Sequence, residues 1–138
     1  MADRVRRVNY AYLMVPSRPG QGARITEELR EAGVNLAAFT AFPTRGGKGQ
    51  VDLIAEDLGP IRRIARRNGW RLSDVKKGFL IQGDDRVGAV HNHLKRLAER
   101  KINVTAVDAV TAGKGRYGML LWVRPKDYAW AAAALKAR

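Results

Sequence analysis

A chain of 138 residues holds one ordinary domain or two small ones, and its 46% hydrophobic and 28% charged residues describe a folded chain rather than a disordered one. No apolar run approaches the roughly 20 residues of a membrane span, and the absence of cysteine excludes disulfides, thiol catalysis and thiolate metal sites. The net charge of +13 fits either a nucleic-acid partner or a background of solvated arginines, and no basic tail stands apart from the rest to favour the first.

Arg4, Arg6 and Arg7 precede an apolar run at residues 10–15. That run is too short for a signal-peptide core and no small-residue cleavage site follows, so a cytoplasmic chain is expected. Ending at Pro16, it reads as a buried strand. A glycine-rich turn follows at residues 17–22. Ile25, Leu29 and Ala32 then form the stripe of an amphipathic helix stopped by Gly33. Residues 36–42 read as a second strand, 43–49 as a hairpin turn and 51–55 as the returning strand. Pro60 opens a second helix with Ile61, Ile64 and Ala65 inside, Gly69 ends it, and residues 70–75 read as a short last strand.

The order then repeats. Residues 79–81 are a strand, 84–88 a turn, and Val90, Leu94 and Leu97 a helix stripe. Residues 103–110 and 117–123 are strands joined by a turn at Ala112-Gly113-Lys114-Gly115, and Pro125 opens a last helix. Gly88 follows Gly20 by 68 residues, and Asn103 follows Asn35 by the same 68, so one period fits both ends of the pattern. The expected fold is therefore α+β: two ferredoxin-like βαββαβ units, residues 1–75 and 76–138, with helices on one face of antiparallel sheets. The second unit lacks its last strand. The strand at Phe79 then needs an outer neighbour, from residues 70–75, from residues 3–8 or from another subunit.

The turn before each first helix has a chemical use. A helix start presents unpaired N–H groups and partial positive charge, which hold a carboxylate. Gly20 and Gly88 permit close approach, and Asn35 and Asn103 offer both a donor and an acceptor at the next strand. Together they would grip both ends of a free amino acid.

Arg18-Pro19-Gly20, a helix, then Gly33-Val34-Asn35-Leu36 resembles the ACT domain, the small ligand-sensing module of amino-acid metabolism. Arg86-Val87-Gly88 with Lys101-Ile102-Asn103-Val104 resembles it a second time, with Val87 in the place of the proline and Lys101 in the place of Gly33. The resemblance covers nearly the whole chain and implies a stand-alone tandem with no enzyme attached. It also implies sheet-to-sheet pairing, and an amino acid bound between the first turn of one domain and strand two of its neighbour. The residues it assigns to ligand binding are Ser17, Arg18, Pro19, Gly20, Gln21 and Asn35 in the first copy. In the second they are Asp85, Arg86, Gly88 and Asn103, where Asp84 and Asp85 would repel a carboxylate but suit an ammonium group.

No nucleophile with a base is evident, no cofactor is implied, and His91 and His93 lack a third metal ligand. His93 aligns with Ile25 and reads as a packing residue on the inner face of its helix. Arg62, Arg63, Arg66 and Arg67 cluster on the outer face of the first unit's second helix. Shifted by 68, these positions become Trp130, Ala131, Ala134 and Leu135, in a helix with no charge at all, so its outer face is expected to be covered. The chain is thus expected to be a non-enzymatic sensor, and a homodimer pairing through its sheet edges and the helix at residues 128–135. The alternative is a basic RNA-binding protein stacking bases on Tyr10, Tyr12, Tyr117 and Trp122.

Overall fold

The computed structural model describes residues 2–138. Its strands are β1 (Arg4–Pro16), β2 (Ala38–Pro43), β3 (Lys48–Ile54), β4 (Lys76–Asp84), β5 (Val104–Gly113) and β6 (Arg116–Val123). Its helices are α1 (Gln21–Glu31), α2 (Gly59–Asn68), α3 (Ala89–Glu99) and α4 (Tyr128–Leu135). No helix of the described residues is long and apolar enough to cross a membrane. The chain divides into two compact units. Asn9–Lys76 forms the first, and Lys77–Arg138 with the residues up to Val8 forms the second.

In the first unit the strands lie in the order β2, β3, β1, all antiparallel. Alternation along each strand decides which residues go inside. Leu13 of β1 faces Val51 of β3, and Leu53 faces both Ala11 and Phe39. Leu13, Val51 and Leu53 meet Ile25 and Leu29 of α1 and Ile61 and Ile64 of α2 in one core. The stripes at i, i+3 and i+4 are what turn both helices onto the same face of the sheet.

The second unit has the first residues of β1, then β4, β6 and β5. Phe79 pairs with Leu121 and Ile81 with Met119. These four are fully buried with Leu97 of α3 and Leu135 of α4. The Tyr128 ring stacks on Phe79 at 4.6 Å between centroids, and its hydroxyl donates to the Gly78 carbonyl at 3.0 Å. Among the described residues no strand follows α4. The neighbour of β4 is instead β1, and Arg138 joins it by donating to the Val5 carbonyl and accepting from the Arg7 N–H.

The repeat extends to individual backbone hydrogen bonds. Gly33 and Val34 close α1 by donating to Arg30 and Leu29, and Lys101 and Ile102, 68 residues on, close α3 by donating to Ala98 and Leu97. Ser17 donates to Gly47, and Asp85 to Gly115, again 68 apart. The period changes to 67 beyond β3: Gly69 and Trp70 donate to Arg66 and Ala65, while Lys136 and Ala137 donate to Ala133 and Ala132. One residue is missing from the connection before α4.

Two expectations are corrected. Residues 70–75 are not a strand. They run as irregular chain tied to β1 at Ser73, whose N–H donates to the Tyr12 carbonyl and whose hydroxyl accepts from the Tyr12 N–H. The slip to 67 also changes which residues of α4 face out. Ala131, Ala134 and Leu135 are buried, whereas Ala129, Trp130 and Ala133 are exposed, and nothing within the described residues covers Trp130.

Candidate functional site

Strand β1 ends at Pro16, and Ser17, Arg18, Pro19 and Gly20 stand exposed, with Gln21 half-buried behind them. Gly20 sits at φ 91, in the left-handed region, and turns the chain into α1. The first helical bond runs from Arg24 N–H to the Gly20 carbonyl. The N–H groups of the three residues between precede any intrahelical partner. No side chain caps them and the first turn holds no acid, so the positive end of the helix faces outward uncompensated.

The second turn has the same backbone. Gly88 has φ 81 and α3 likewise starts with no side-chain cap and no acidic residue. Its side chains are arranged differently. Arg86 donates to the Asp3 carboxylate at 3.2 Å and to the Asp84 carbonyl at 2.9 Å. Arg116 lies 2.7 Å from the Asp84 carboxylate and holds it below the usual carboxylate range. Asp85 remains exposed, and Val87 stands wholly in solvent. Among the described residues, Asp84 of the two acids beside this turn is paired with a cation and Asp85 is not.

Asn35 and Asn103 are both exposed, in the connections entering β2 and β5. Each is separated from its own turn by a helix of 11 residues. At 1.5 Å per residue that is about 16 Å. Neither unit therefore brings its own glycine turn and its own asparagine together.

A cluster that sequence reasoning missed lies inside the second unit. The Asp3 carboxylate accepts from Tyr117 Oη at 2.5 Å and pairs with His93 Nε2 at 2.7 Å, while Arg86 reaches its other oxygen. The side chains of His93 and Asp3 are 4% and 5% exposed. Burial works to raise the Asp3 pKa, but the bonds from Tyr117, His93 and Arg86 outweigh it and the net shift is downward. Burial first, and then the bond to Asp3, push the Tyr117 hydroxyl up. Gly83 makes this possible, since a Cβ there would collide with the Asp3 carboxylate. His93 is the packing residue the helix pattern implied. Its partner could not be seen, because Asp3 lies 90 positions away.

The first unit has a smaller counterpart. Asp52, 4% exposed, accepts from Thr40 Oγ1 at 2.8 Å and Gln50 Nε2 at 2.9 Å. Burial, and secondarily the nearby Asp52, push the Tyr10 hydroxyl up to about 12. The base-stacking surface is not available as expected: Tyr117 and Trp122 are 4% and 9% exposed, while Tyr10 and Tyr12 are half-buried.

A protein of Bacteroides thetaiotaomicron superposes with a TM-score of 0.80 at 16% identity, over 96% of this chain and 88% of that one. The aspartokinase alpha and beta subunits give 0.64 at 14%, over 98% and 95%. The ligand-free regulatory subunit of aspartate kinase from Thermus thermophilus gives 0.61 at 12%, over 98% and 93%. The chain has a tandem ACT fold. At the level of sequence, no protein-family model and no curated protein matches it. The ACT fold explains the two-unit repeat and places a glycine turn at the start of α1 and of α3. It leaves the residues at those turns to be judged on their own chemistry.

Proposed function

We propose that the protein is a non-enzymatic regulatory module that senses an amino acid or a similar small metabolite. The observation that carries this reading is the uncapped, glycine-turned start of α1, repeated at α3. A ligand carboxylate would sit on the free N–H groups of Gln21, Gly22 and Ala23, beside Ser17 and Arg18. Its ammonium group would meet the Asn35 amide of a second copy of the chain. The first turn is the better of the two, because Arg86 in the second is engaged by Asp3 and Asp84. Two solved chains of this fold are regulatory subunits of aspartate kinase, which supports a regulatory role. A homodimer would supply the second unit that the site requires. The RNA-binding alternative loses support, since two of its four stacking aromatics are buried.

The test is a thermal-shift screen of the twenty amino acids. A ligand at 100 times its Kd stabilises by roughly 2.7 kcal/mol. The shift should be reduced in Asn35→Ala and in Gly20→Val, whose side chain disfavours the left-handed turn. The reading fails if no amino acid raises Tm, or if the shift is undiminished in both variants.

A further inference from the structure

The first unit has an open cleft of about 430 Å³ away from the glycine turn, formed where α2 meets the irregular chain that follows it. Its volume lies within the range of small-molecule sites. Arg62 and Arg66 form one wall. They are four residues apart on α2, hence neighbours on one helix face, and both are exposed. Trp70 and Leu72 form the floor, both half-buried against the unit's core. Asp74 lines the same cleft. Among the described residues, neither arginine nor the Asp74 carboxylate has an ion-pair partner. Ser73, between floor and acid, is already spent: its hydroxyl accepts from Tyr12 N–H and donates to the Asp74 carbonyl.

Two adjacent arginines repel each other, and an anion between them relieves that repulsion with paired hydrogen bonds. A simple anion would be opposed by Asp74. A ligand carrying both charges would satisfy the acid as well, and the indole and leucine between them fit an apolar body. We propose that this cleft is a second ligand site, for a zwitterionic amino acid with a large apolar side chain. The carboxylate lies between Arg62 and Arg66, the ammonium at Asp74, and the side chain on Trp70 and Leu72. The site is independent of the turn at Gly20 and stands or falls separately from it.

The experiment follows the indole N–H signal of Trp70 in the ¹⁵N-labelled full chain, identified by its loss in Trp70→Phe. L-phenylalanine and L-leucine are titrated in turn, with phenylacetate and phenethylamine as single-charge controls. A saturable shift of the Trp70 signal is expected with at least one amino acid, and binding about tenfold or more weaker for both controls, the scale of one charge-assisted hydrogen bond. Arg62→Ala/Arg66→Ala and Asp74→Asn should each weaken binding similarly. Both are surface changes, so an unchanged spectrum elsewhere shows that the fold persists. Asn35→Ala should leave this signal's response intact, which separates the cleft from the turn. The proposal is overturned if neither amino acid moves the Trp70 signal, if the arginine variant binds normally, or if phenylacetate binds as well as phenylalanine.

Discussion

Gly33 and Lys101 occupy the same position of the repeat, each donating the same backbone bond at the end of its helix. Both are left-handed, at φ 71 and φ 57, but only the glycine holds that conformation without a Cβ penalty. Lys101→Gly should therefore raise stability by about 0.5–1 kcal/mol in urea unfolding, and Gly33→Ala should lower it by about 1 kcal/mol. A result of opposite sign at Lys101 would mean that the lysine side chain contributes more than the backbone strain removes. Asp3 gives a pH prediction. Its pKa when folded lies below the ordinary 3.8, so the unfolded chain binds more protons as pH falls through that region. The stabilisation is complete above about pH 4 and is lost on acidification. Asp3→Asn should flatten the acid limb of the stability–pH curve and cost about 1–3 kcal/mol at neutral pH, as expected for a broken buried bond set. Gly83→Ala should reproduce the loss, because it evicts the same carboxylate. If Gly83→Ala is neutral while Asp3→Asn is not, the carboxylate has another place to go.

Helices α2 and α4 are equivalent at the shift of 67, so Arg62, Arg63 and Arg66 correspond to Ala129, Trp130 and Ala133. One unit carries cations where the other carries an apolar patch, with Trp130 69% exposed. If copies of the chain meet through this patch, light scattering at micromolar concentration gives twice the 15.3 kDa chain mass, and Trp130→Glu returns it to the single-chain value. A wild-type mass of 15.3 kDa under those conditions rules the dimer out. The strands and helices themselves were legible in the sequence, because alternation of period two and stripes of period 3.6 carry directly into burial. The glycine turns were legible for the same local reason. The α4 register was not, since the deleted residue falls in a connection where the two copies share no pattern. Residues 70–75 misled because their composition suits a strand, while among the described residues their bonds to β1 are made at Ser73, with Tyr12. The Asp3 cluster is a pairing of distant residues, which no local window contains.

At the scale of the molecule, β1 belongs to both units, with residues up to Val8 completing the second and Asn9 onward the first. Val5 lies in the second unit's core, and Arg138 bonds to the backbone of Val5 and Arg7. Removing residues 2–8 should therefore destabilise Lys77–Arg138 selectively. Hydrogen exchange should rise in β4 and β6 while protection in β3 is retained; equal losses in both units would contradict that assignment. Asn9–Lys76 is a continuous stretch and has all its strands once residue 76 is made. The other unit must wait, because Asp3 is 114 positions from Tyr117. At ribosomal rates of about 5–20 residues per second, that interval is roughly 6–23 seconds. The residues around Asp3 thus emerge well before their partners, and whatever shields them in the meantime governs how much of the nascent protein reaches its native state.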